Sequence, residues 1–116
     1  MAFQKVFDFK EVTFEYRSNG VAQFQFNTDM PGGAMAPRLG GGVVLPSSGG
    51  IGQNKTYTVP LDGIQGTMYQ PVVTPGVSTQ IILLAATIRL RPIGVYIDGS
   101  LNPPEEWITQ PIAPGV

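Results

Sequence analysis

Apolar and polar residues alternate with a period of two along much of this chain, and glycine or proline interrupts the pattern every few residues, which leaves room for little besides β-strands. Val12, Phe14 and Tyr16 share one face while Thr13, Glu15 and Arg17 share the other. After Ser18-Asn19-Gly20 the alternation resumes, with Ala22, Phe24 and Phe26 opposed to Gln23 and Gln25. Asn-Gly supplies the positive φ angles of a tight turn, so a hairpin is expected here. A preceding strand over residues 3–9 would align Phe3, Phe7 and Phe9, with Lys5 breaking the face. Alternation returns over residues 56–61 with Tyr57, Val59 and Leu61 inward. Pro60 then belongs on the outward, unpaired side, and Asp62-Gly63 should turn the chain into a strand over residues 64–73.

Glycine and proline also weigh against long helices, because 15 Gly and 11 Pro are spread through 116 residues and each costs about 1 or 3 kcal/mol inside one. Residues 28–54, with Pro31-Gly32-Gly33, Gly40-Gly41-Gly42 and Ser47-Ser48-Gly49-Gly50, read as loops with short strands near residues 34–39 and 43–45. Over residues 77–91 a helix would align Ile81, Leu84, Ala85 and Ile88, but Ser78 and Thr79 have no Glu or Gln three places on to close a capping box. The alternation of Ile82, Leu84, Ala86, Ile88 and Leu90 against Thr87, Arg89 and Arg91 predicts a long strand instead. Ile93, Val95 and Ile97 give another, ended by Asp98-Gly99. Beyond residue 100, Pro103, Pro104, Pro111 and Pro114 predict an extended tail without regular structure. The expected architecture is all-β: an antiparallel, jelly-roll-like β-sandwich of about eight strands over residues 1–100 with extended N- and C-terminal arms, the C-terminal one Pro-rich over residues 101–116.

The residue types that are missing bear on chemistry. With no His and no Cys, a Ser-His-Asp triad, a thiolate nucleophile, a disulfide and His- or Cys-ligated metal are all excluded. Asp29, Asp62 and Asp98 each lie within three residues of a glycine at expected turns, where Asp bonds the local backbone, and Glu105 and Glu106 fall in the tail. Asp8, Glu11 and Glu15 alternate with basic residues on strand faces. No catalytic, metal or cofactor residue is therefore assigned, and the chain is expected not to be an enzyme. Gly49 to Thr56 approaches a phosphate-binding loop but carries Asn54 where the pattern needs Gly, and a strand follows where a helix should open, so a flexible hairpin loop is expected. Asn54-Lys55-Thr56 matches the N-glycosylation pattern, with no secretory signal to make use of it.

A net charge of −1 without a basic run gives nucleic acid little to bind. The longest apolar run, residues 81–86, falls far short of the roughly 20 residues of a membrane span. Only 13% of residues are charged and none lies between Gly63 and Ile88, against about 25–35% on well-behaved free surfaces. Part of this surface is expected to be covered by another protein. Arg89 and Arg91, two apart on one strand, face the same way, either toward an acidic partner or as a solvated face. Tyr69, Tyr96 and Trp107 could stack on sugar, but they are scattered along the chain.

The runs Phe14-Glu15-Tyr16-Arg17-Ser18-Asn19-Gly20, Thr28-Asp29-Met30-Pro31-Gly32, Val59-Pro60-Leu61-Asp62-Gly63, Arg91-Pro92-Ile93-Gly94-Val95-Tyr96-Ile97-Asp98-Gly99 and Trp107-Ile108-Thr109-Gln110-Pro111 resemble those of small virion-associated proteins of tailed bacteriophages. The resemblance implies a non-enzymatic β-sandwich subunit, made in the host cytoplasm and carried on the virion. It would act in the tail or its attachment region, or as a cement protein decorating the capsid. Its implied partners are capsid or tail proteins and copies of itself, reached through terminal arms. Arg89, Arg91, Pro103, Pro104, Trp107, Ile108 and Pro111 are the corresponding candidate interface residues. The alternative is a carbohydrate-binding module for a host-surface glycan.

Overall fold

The computed structural model describes residues 6–29, 33–93, 96–97, 100–101 and 106–112, and all regular structure among them is β. The strands are β1 (Val6–Ser18), β2 (Ala22–Thr28), β3 (Ala36–Pro37), β4 (Val43–Leu45), β5 (Gly50–Gly66), β6 (Tyr69–Pro75), β7 (Ile81–Ile93), β8 (Tyr96–Ile97), β9 (Ser100–Leu101) and β10 (Ile108–Pro111). A long antiparallel sheet has the order β10-β7-β1-β5. A shorter one is centred on β2, which pairs β6 along one side and β3 and β4 along the other. The two sheets stack as a β-sandwich, as expected, and β8 and β9 form a separate antiparallel pair.

Alternation produces the core directly. Phe9, Val12, Phe14 and Tyr16 of β1 meet Ala22, Phe24 and Phe26 of β2, with Leu45, Val59, Leu61, Ile88 and Leu90 closing around them. Burial of each large side chain contributes about 1.5–3 kcal/mol. Phe14 packs edge-on against Phe24 with ring centroids 4.9 Å apart, and Phe9 against Phe26 at 5.2 Å. β1 runs unbroken across what the sequence divides in two, because Lys10 is an extra residue between Phe9 and Glu11 relative to β7. That bulge lets Phe9 and Val12, three apart, both face the core. The Phe3 and Lys5 ends of the expected first strand lie outside the described residues.

The main departure from expectation is at Asn19-Gly20. β1 and β2 are not a hairpin: they lie in different sheets and face each other across the core. Both sides of β1 are taken by β5 and β7, so residues 19–21 carry the chain over the end of the sandwich. Asn19 N–H donates to Gln80 O (3.2 Å), and Asn19 Oδ1 accepts from Gln80 N–H (2.8 Å). Gly20 is required for space rather than for a left-handed φ, since a Cβ there would lie 2.6 Å from Thr79 Oγ1. Gly20→Ala is expected to destabilise the fold by about 1–3 kcal/mol, the usual cost of overpacking. Urea denaturation should show part of that loss restored in Gly20→Ala/Thr79→Ala, a coupling that independent sites would lack.

Asp62-Gly63 is likewise not a reversal. Both residues have positive φ (47° and 84°), and with Leu61 they form a bulge inside β5, between Pro60 opposite Glu11 and Ile64 opposite Phe9. The turn expected there comes later, at Thr67-Met68, where the chain passes from one sheet to the other. Pro60 is exposed on the edge strand β5, where its missing N–H costs nothing. Residues 50–55, expected as a flexible loop, already belong to β5.

β7 begins at Ile81, not at residue 77, and continues through Pro92 to Ile93. Leu84 is an extra residue between Leu83, opposite Tyr16, and Ala85, opposite Glu15, and this bulge breaks the expected alternation. The tail also departs from expectation. Ile108–Pro111 pairs with β7 as β10, Ile108 opposite Leu90 and Pro111 opposite Thr87, because the stretch between Trp107 and Pro111 is free of proline and reaches an edge that accepts it.

Candidate interaction surface

The expected interface residues converge where β10 meets β7. Arg91 stands opposite Asp8 of β1, and its Nη2 lies 3.4 Å from Asp8 Oδ2. Arg89 stands opposite Glu11 on one side and Thr109 on the other. Trp107, just before β10, lies under two cations: the Arg91 guanidinium is 4.4 Å and Lys10 Nζ 5.5 Å from its ring centroid. Stacking of this kind contributes about 0.5–2 kcal/mol and fastens the end of the chain to the outer face of the long sheet. Arg89, Arg91, Trp107 and Pro111 thus share the outer face as one patch, while Ile108, opposite the core residue Leu90, lies on the other face and Pro103 and Pro104 lie outside the described residues. Within the patch Arg91 is already engaged by Asp8 and Trp107. The Trp107 ring likewise carries cations where a sugar platform would carry sugar.

Sequence reasoning placed Ile82 and Leu84 inward. The bulge at Leu84 leaves Ile82, Leu83 and Leu84 37–43% exposed, with Ala85 exposed beside them. β10 covers the edge of β7 only from Leu90 to Thr87, and Ile112 N–H adds one bond to Ala86 O at 2.8 Å. Among the described residues nothing pairs with the outer edge of β7 from Ala85 back to Ile81. The one signal for this in the sequence is the absence of charge between Gly63 and Ile88.

The polar residues that looked most like chemistry hold the ends of the sandwich. Asp29 is buried, and Oδ1 accepts from Thr67 N–H (2.9 Å) and Met68 N–H (2.8 Å) while Oδ2 accepts from the Thr67 hydroxyl. The Thr67 hydroxyl and the Met68 amide hold its carboxyl below the ordinary range. It does bond backbone, as turn aspartates do, but at a crossing far along the chain. At the opposite end Ser18 is buried against Ser48: Ser48 Oγ accepts from Ser18 N–H (2.7 Å) and Ser18 Oγ from Ser48 N–H (3.1 Å). Tyr16 OH donates to Pro46 O at 2.6 Å, and burial, then Tyr57, pushes its phenol up. Lys55 and Thr56, which end the near-match to a phosphate loop, sit in mid-strand opposite Tyr16 and Glu15. Among the described residues no three acidic side chains gather as a metal site requires. Comparison of the chain with protein-family models, with curated proteins and with solved structures returned no match.

Proposed function

We propose that this chain is a non-enzymatic structural subunit of a bacteriophage particle, in the tail and its attachment region or as a cement protein on the capsid, working through protein–protein contacts. The observation that carries the reading is the exposed strip of Ile82, Leu83, Leu84 and Ala85 on a strand edge that no described residue pairs with, within a run of chain that has no charge. Free edges of that kind are ordinarily blunted by Lys or Pro, and a bare one is a place for another chain. The patch around Arg91 and Trp107 supports the same reading, since it anchors the C-terminal segment beside that edge. The test is centrifugation of particles of the phage that encodes this chain. The protein should band with intact particles in a fixed ratio to the major capsid or tail protein, including after a high-salt wash. Recovery only in the unassembled soluble fraction would overturn the reading, and glycan binding abolished by Trp107→Ala would replace it with the carbohydrate module.

A further inference from the structure

We propose that residues 82–85 of β7 pair antiparallel with the same residues of a second copy of this chain, on a two-fold axis between Leu83 and Leu84. The inference rests on the structural-subunit reading and names one of that subunit's partners.

Among the described residues most other free edges carry a residue that opposes pairing, and β4, which carries none, is only three residues long. β5 has Lys55, Pro60 and Asp62, β6 has Pro71 and Pro75, β3 has Pro37, and β10 has Pro111. The segment from Ile81 to Ala85 contains neither charge nor proline. Its faces also match themselves across the proposed axis. Ile82 lies opposite Arg17, and Ala85 opposite Glu15, on the outer face of the long sheet. Pairing Ile82 with Ala85 of the second copy keeps outer residues with outer residues. It also sets Ile81 beside Ala86 of the second copy, and both of these pack toward the core. Leu83 then meets Leu84, so the two bulges face each other rather than a regular strand. The arrangement is isologous, so each contact occurs twice and the assembly closes at two.

The chain has no cysteine, which makes cross-linking specific. Leu84→Cys under mild oxidation should give a disulfide-linked dimer, while Met68→Cys, exposed at the Thr67-Met68 crossing, should give no covalent cross-link. In sedimentation equilibrium the wild type should dimerise. Ile82→Lys should weaken that at least about 100-fold, because each interface would contain two copies of the change. Its thermal midpoint, read at low concentration, should be unchanged, since Ile82 already faces solvent. A wild type that stays monomeric up to about 1 mM, the weak limit of specific association, would overturn the proposal. So would a dimer indifferent to Ile82→Lys, or an edge occupied by a different virion protein while copies stay apart. A monomer that still bands with particles defeats the dimer alone, and a dimer never found with particles defeats the structural-subunit reading alone.

Discussion

Phe26→Ala should remove about 3–5 kcal/mol of stability, the range for emptying an aromatic from a packed core. Phe26 has no exposed surface. Its ring lies edge-on to Phe9 of the long sheet at 5.2 Å, stacks on Tyr69 of β6 at 5.8 Å and touches Phe24 at 6.3 Å. It therefore joins both sheets and the edge strand that β2 supports. Its neighbours are themselves rings held by strand pairing, so they cannot collapse into the space, and the cost belongs at the upper end. A domain of this size has about 5–15 kcal/mol in all, so the variant should unfold in guanidinium at roughly two-thirds of the wild-type midpoint or lower. Phe26→Leu should recover most of the loss by restoring volume, and Val77→Ala, at a residue 99% exposed, should change nothing measurable. A Phe26→Ala midpoint close to wild type would mean that the two sheets do not pack through this cluster.

That cluster was legible in the sequence because it needs only alternation. Phe24 and Phe26 share a face for any strand that contains them, whatever it pairs with. The partner of a strand is another matter. A two-residue hairpin at Asn19-Gly20 and a crossing between sheets both keep Phe14 and Phe24 on the apolar side, so the local pattern cannot separate them. What separates them is that β5 and β7 together occupy both edges of β1, and those contacts lie tens of residues away. Bulges were hidden for the same reason. Lys10 and Leu84 look like ordinary strand residues, and each becomes an extra residue only relative to the strand it pairs with.

The candidate surface follows this division. That Arg89 and Arg91 face one way is a property of strand geometry, and it holds. That Trp107 lies against Arg91 depends on β10 pairing β7 in one register, which prolines on either side of the segment seemed to forbid. The exposure of Ile82 and Leu84 depends on the Leu84 bulge, and a strict period of two assigned both to the core. The charge-free run between Gly63 and Ile88 contains these exposed side chains, but it does not identify which of its residues they are.

Acid should act on this fold through Asp29, and Asp29→Asn should remove that sensitivity. The Asp29 carboxylate closes the crossing from β5 to β6 by accepting from two backbone amides and a hydroxyl that have no comparable partner in the unfolded chain. Gly66 beside it permits the approach, since a Cβ there would stand 2.6 Å from Asp29 O. In the unfolded chain the carboxyl titrates near 3.8, and in the folded protein these hydrogen bonds lower it. Between the two values the unfolded chain binds a proton that the folded one does not, so stability is fully present above the unfolded value and is lost as pH falls through the folded one. Asn cannot titrate and presents an NH₂ where one of its neighbours needs an acceptor. Asp29→Asn should therefore be less stable than wild type at neutral pH, and its stability should decline less steeply below pH 3.8, by up to one bound proton per molecule. Chemical denaturation at a series of pH values reads the slope. Hydrogen exchange at the Thr67 and Met68 amides should quicken in the variant, while the Phe24 amide, at the centre of β2, keeps its protection relative to global unfolding. Parallel stability curves for the two proteins across the acid range would show that the crossing is held by something other than the charge on Asp29.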